Sequence, residues 1–281
     1  MRHLGTKHLL RFALAGLAIG SGAVTSAAPG QVVTTTATDD ETPAKATPPA
    51  DPAARIVLER AIEAMGGLDG RRDIRSSRSQ ARLEMGETAA TIDLTTMTGN
   101  RLRVRYRTDY RGRPDLMEIG CDGSIGWRID PPDGLVTEIT PELAQEFARR
   151  FDFQSLIREI DLRFEEPRLL PPEDFEERSC RVIGMRDGEQ EVRILFEDET
   201  GLPVALELIE PNVRRSRRKV VIESWSEPAE GSRLRWIRRF RLEQAGVTWT
   251  AEYAFVNFND VSESTFLPPS GLTIDPGGDE E

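Results

Sequence analysis

The sequence predicts an α+β fold that is mainly antiparallel β: a highly curved, half-open β-barrel of about 11 strands, with helices closing its concave side. Three observations predict it. Short runs alternate strictly between apolar and polar residues, as where Leu102, Val104 and Tyr106 interleave with Arg101, Arg103, Arg105 and Arg107, the mark of a sheet with one apolar and one wet face. Turn signals such as Asp122-Gly123 and Asp187-Gly188 recur between the runs, so consecutive strands join as hairpins in a meander too long for a small sandwich. Between residues 141 and 160 the period changes from two to that of a helix.

Taken in order, residues 1–27 read as a secretory signal. Arg2, Lys7 and Arg11 precede a short apolar core over 12–19, and Thr25 and Ala27 provide the small residues before cleavage. The core is shorter than the ~20 residues a spanning helix needs. No Cys stands near the cleavage site, which argues against a lipidated amino terminus. The expected compartment is the periplasm, reached by export and cleavage. Residues 28–50, rich in Thr, Ala, Pro and Asp, read as a disordered linker, residues 51–270 as the folded domain, and residues 271–281 as an acidic tail.

Both histidines, His3 and His8, fall in the leader, so the exported chain carries none. That removes the commonest general base and transition-metal ligand. The whole chain has a net charge of −11, and losing the leader removes three basic residues and no acidic one. A nucleic-acid binder leans the other way. No nucleophile elbow, phosphate loop or dinucleotide fingerprint is present, so the sequence points away from an enzyme, and no cofactor is expected. The oxygen-rich 197–201 segment lacks the alternate spacing of a calcium loop and reads as a turn.

The domain opens with Asp51-Pro52 and a stripe of Ala54, Leu58, Ala61, Ile62 and Met65 that Gly66-Gly67 stops, an amphipathic helix. Strands are expected over 76–85, 88–97, 101–106, 116–121, 125–129 and 135–139. Thr140 then caps a helix with Pro141 in its first turn. Leu143, Phe147 and Phe151 share one face of it, and a second helix aligns Phe153, Leu156, Ile157 and Ile160. This apolar helical segment reads either as a core helix covering one end of the sheet or as a lid over an apolar cavity. Further strands follow over 161–170, 180–185, 190–196, 203–209, 217–225, 233–242 and 247–256. Cys121 and Cys180 both lie in strands, where a disulfide and two buried thiols are both open.

What remains is apolar surface. Met117, Ile119, Trp127, Ile129, Phe147, Phe151, Phe153, Leu156, Ile157, Trp236 and Phe255, with Trp249 and Tyr253, are expected to project inward and line a hydrophobic ligand site. The arginine-bearing strand faces read first as solvated surface and second as a docking surface for a protein partner.

In its order of parts the chain resembles the LolA/LolB-like family of bacterial envelope proteins, which includes outer-membrane lipoprotein-sorting carriers. The residues that carry the resemblance are the helix ending Ala64-Met65-Gly66-Gly67, the hairpin from Asp122-Gly123 to Trp127, the helical insertion near 141–160, Asp198-Glu199-Thr200-Gly201-Leu202-Pro203, and the end from Asn257 through Phe266-Leu267-Pro268-Pro269 to Asp275. The resemblance implies a curved sheet whose cavity holds acyl chains under a helical lid. The expected role is a periplasmic carrier or sequestering protein for a lipid or acylated protein, acting as a monomer and by burial rather than chemistry. The alternative is a non-catalytic envelope interaction or stress-sensing domain that docks a membrane-associated protein. Family carriers latch the lid with an arginine just before the strand beginning here at Arg101, where this chain has Thr98-Gly99-Asn100.

Overall fold

The computed structural model describes residues 51–270 apart from 87, 111–112, 132–133, 150, 189, 210–216 and 229–231. The expected leader, linker and acidic tail lie outside the described residues. Asp51 caps α1 (Pro52–Ala64) by accepting from the Ala53 amide, with Pro52 in the first turn, and a second short helix α2 (Gly67–Arg72) follows at once. The break between them is forced by Gly66, whose φ is +123°. A β-carbon there would come within 2.8 Å of the Arg233 carbonyl and the Leu234 α-carbon.

Thirteen strands follow, rather than about 11: β1 (Ser76–Met85), β2 (Thr88–Met97), β3 (Arg101–Tyr110), β4 (Arg113–Asp122), β5 (Gly126–Asp130) and β6 (Leu135–Ile139), then β7 (Glu165–Phe175), β8 (Arg178–Asp187), β9 (Gln190–Glu197), β10 (Pro203–Ile209), β11 (Arg217–Trp225), β12 (Ile237–Gln244) and β13 (Val247–Phe258). They form one antiparallel sheet in the order β6-β5-β4-β3-β2-β1-β13-β12-β11-β10-β9-β8-β7. Two meanders therefore meet where β1 pairs with β13, and the sheet is not closed, because β6 and β7 are its two edges.

Between those edges run α3 (Pro141–Arg149), α4 (Phe153–Arg158) and α5 (Ile160–Arg163). A flat sheet of this width spans on the order of 58 Å at ~4.8 Å per strand. The connection, with helices of 9, 6 and 4 residues, reaches only about 50 Å even if every part were collinear. The sheet must curl to bring its edges within reach, and the helices are carried across its inner face. Helix α1 contributes to the same face, with Ala54, Leu58, Ala61 and Ile62 buried.

Two expected strands begin later than their apolar residues indicate. Residues 161–163 belong to α5, because Glu159 accepts from the Leu162 and Arg163 amides, and residues 233–236 precede β12 as an extended segment held by Met65 and Ser226. The edge strand β7 tolerates Pro167, Pro171 and Pro172 because an edge leaves one side of the ladder unpaired, and it is bulged twice.

Candidate functional site: the inner face and its helical cover

Strand register decides which side chains share a face, since successive residues point to opposite sides. Val104 pairs with Ile119 and Tyr106 with Met117, and on β2 Ile92 and Leu94 face the same two β3 residues, Tyr106 and Val104. The same inner face continues through Ala81, Tyr253, Phe240 and Ile222 to Leu206, Ile194 and Ile183. These residues are buried, so the sheet presents an apolar inner surface.

The helices rest on it through aromatic rings. Phe151 lies 6.2 Å from Tyr106 and 5.7 Å from Phe147 between centroids. Phe153 lies 4.6 Å from Phe240, which is 6.2 Å from Tyr253, and Trp236 meets Tyr253 edge-on at 6.4 Å. Burial pushes the Tyr106 hydroxyl up to about 12 and raises that of Tyr253 further, so both stay protonated and neutral in this layer. On α3 the fully buried positions are Ala144 and Ala148, while Leu143 is 48% exposed. Expecting Leu143 on the buried stripe was an error of about one residue in helical phase, and the small alanines let α3 approach the sheet closely.

Polar ties hold the cover in place. Gln154 accepts from the Ile237 amide and donates to the Ile237 carbonyl, so one side chain serves the first backbone pair of β12. Asp152 caps α4 through the Ser155 amide, and its carboxylate also accepts from the Ser155 hydroxyl. Arg71 on α2 reaches Asp161 on α5 at 2.5 Å, and Arg163 reaches Asp187 at 3.3 Å.

Among the expected ligand-lining residues, the structure brings Met117, Ile119, Phe147, Phe151, Phe153, Leu156 and Trp236 to the inner face or its cover. Ile157 lies in α4, but its side chain is outside the described residues. Three expectations are corrected by register. Trp127 pairs with Gly120 and Ile129 with Glu118, on the opposite face from Ile119, and Phe255 pairs with Gln80, also outward, where Arg78 stacks over its ring. Trp127 is fully buried there nonetheless. It belongs to a separate outer cluster with Glu118, whose Oε1 accepts from Trp127 Nε1 at 3.4 Å.

The outer arginines are also not free. Arg103 and Arg105 both bind Glu118 at 2.8 Å and Arg107 binds Asp93 at 2.5 Å, while Arg193, Arg217 and Lys219 surround Glu207. Glu118 is 3% exposed. Burial pulls its acidity toward the neutral form, but hydrogen bonds and charge from Arg105 and Arg103 outweigh that and hold the carboxyl below its ordinary range. A disulfide is excluded: both cysteines are free, Cys121 facing inward on β4 and Cys180 outward on β8, at opposite ends of the strand order. Burial raises both thiols. The 197–201 segment is a turn, closed by Gly201 donating to the Glu197 carbonyl and capped by Arg60 on the Asp198 and Glu199 carbonyls. Among the described residues no acidic or thiol cluster of three could hold a metal, and no helix is long and apolar enough to cross a membrane.

A cleft of about 20 Å³, enough for one or two waters, lies among Met65, Gln154, Leu234, Trp236 and Phe258.

No family model matches the chain, and no curated protein sequence does. Among solved structures it is similar to a LolA superfamily protein from Nitrosomonas europaea, at 15% identity and a TM-score of 0.48. That similarity covers 76% of this chain and 97% of the other. It is also similar to an outer membrane lipoprotein-sorting protein domain from Vibrio parahaemolyticus, at 14% identity and a TM-score of 0.49 over the same shares of the two chains. The lipoprotein LppX of Mycobacterium tuberculosis is similar over 76% of this chain and 98% of its own, at 9% identity and a TM-score of 0.28.

Proposed function

We propose that the protein is a periplasmic binder of a lipid or acylated protein, in which α3–α5 form a cover that lifts to admit an acyl chain. One observation carries the reading: the aromatic layer of Phe147, Phe151 and Phe153 against Tyr106, Phe240 and Tyr253, interposed between short helices and a wide apolar sheet face. Helices of 9, 6 and 4 residues are too short to persist on their own, so their order comes from docking on the sheet. Displacing them costs mainly apolar contact, which an acyl chain restores at about 0.8 kcal/mol for each CH₂ it buries. Binding is by burial, with no covalent step. The test is native mass spectrometry with organic extraction on the exported chain purified without detergent. Near-stoichiometric lipid or lipopeptide is the expected result. A clean apo mass, with no uptake of added phospholipid or acylated peptide, overturns the reading.

A second reading, docking of a membrane-associated protein, is favoured by Leu143 and Leu162, 48% and 79% exposed on the cover. It predicts that a partner binds without any lipid and that Leu143→Ser with Leu162→Ser weakens it. Undiminished partner binding by that double variant counts against it.

A further inference from the structure

The cleft beside α4 combines loosely paired arginines with tryptophan. Arg158 and Arg235 line it together with Trp225 and Trp236. Several arginines elsewhere sit tight against carboxylates, as Arg103, Arg105 and Arg241 do at 2.8 to 3.0 Å, while Arg163 stands 3.3 Å from Asp187. At the cleft the pairing is loose. Arg158 reaches Glu159, itself half-exposed, at 3.3 Å, and Arg235 has Glu227, 89% exposed, at 3.8 Å. Arg158 is also pre-positioned, its side chain 17% exposed, held by the Ser155 hydroxyl at 3.1 Å and stacked on Phe258. A third guanidinium lies on α2. Arg71 is 8% exposed and spends Nη2 on Asp161, and its buried Nη1 has no acceptor among the described residues. Its neighbour Gly70 packs against Leu234 of the cleft wall.

Two weakly committed guanidinium groups beside an apolar floor recognise an oxyanion attached to a hydrocarbon. The cleft also opens at the root of α4: Gln154 lines it, and the adjacent Phe153 is the ring packed on Phe240. We infer that this cleft is the headgroup subsite for a single-chain anionic amphiphile, its oxyanion held by Arg158 and Arg235 and its chain running beneath α4. The inference rests on the acyl-binding reading above and adds the charge of the ligand's head. Carboxylate and phosphate heads share this chemistry.

Equilibrium dialysis of the exported chain against palmitate, hexadecyl phosphate and methyl palmitate tests it. The expected result is that at least one acid binds tenfold or more tightly than the ester, with an advantage that shrinks as salt rises. The acid that binds more tightly identifies the head. In the Arg158→Gln, Arg235→Gln double variant the acids fall to the ester's affinity while the ester's affinity is unchanged, which also reports that the fold is intact. Equal binding of ester and acids by the unaltered protein overturns the subsite and leaves the acyl-binding reading standing. Failure of all three to bind overturns both.

Discussion

The indole of Trp127 occupies the space that any side chain at position 120 would need, since a β-carbon on Gly120 would sit 2.1 Å from its Cζ2. The two residues face each other across the β4–β5 pair. Gly120→Ala is therefore expected to force the ring off its seat and destabilise the domain by about 1–3 kcal/mol, the usual scale of overpacking. Urea unfolding measures the loss, and a change in Trp127 emission locates it. An unchanged midpoint would show that the ring has room to move.

Glu118 makes the outer cluster pH-sensitive. Its carboxyl is held below the ordinary range in the folded state, so its contribution is complete above the unfolded value of about 4.3 and is lost as the pH falls through the lower folded value. Glu118→Gln is expected to lower the melting temperature at pH 7, with a loss of about 1–2 kcal/mol once the partial exposure of Arg103 and Arg105 is allowed for, and to flatten its decline below about pH 4. Melting curves from pH 7 down to the acid limit check both. Parallel curves for the two proteins would remove Glu118 as the source.

The two thiols should behave as buried, unpaired groups. Reductant is expected to leave the melting temperature unchanged, and alkylation after unfolding should add two labels without prior reduction. In the folded state labelling at pH 8 should be slow, because burial raises both thiols and keeps the thiolate scarce. Rapid labelling of either Cys would show that its strand opens.

Gln154 is the polar pin of the cover. Gln154→Ala leaves the Ile237 amide and carbonyl without that partner and is expected to cost about 1–3 kcal/mol locally. Hydrogen exchange should accelerate through α4 and α5 while the β9–β11 strands keep their protection. Acceleration spread evenly over the sheet would mean that the cover and sheet unfold together.

Much of this architecture is legible because a strand with one wet face must alternate, as β3 does, and the limits of β1, β2, β6, β10 and β11 match the expected ones because each apolar run is bounded by turn residues. The face assignment of Trp127 failed for a reason that is also physical. Ile119 and Trp127 are both odd-numbered, and alternation along one strand makes it natural to place them together. Across a hairpin whose loop has an even number of residues, paired positions have opposite parity. Here Cys121 pairs with Gly126, so Trp127 falls beside even-numbered Gly120 and Glu118. The glycine was the available signal, a missing side chain opposite a large one. Phe255 was misplaced by a bulge between Gln80 and Ala81 that shifts the register of β13, which no local pattern marks. The pairing of the outer arginines depends on Glu118 and Asp93, in neighbouring strands, and becomes visible only once the register is known.

The joint between β1 and β13 has a consequence for how the chain comes together. Each meander can zip locally, hairpin by hairpin, but Ser77 finds Phe258 only after nearly the whole domain has been traversed. Until then the molecule is two half-sheets, each with a raw edge of unpaired amides and carbonyls at what will become its centre. The slow step of folding is thus the closing of a seam, and an interruption before β13 docks leaves the unpaired edge of β1 open to strangers.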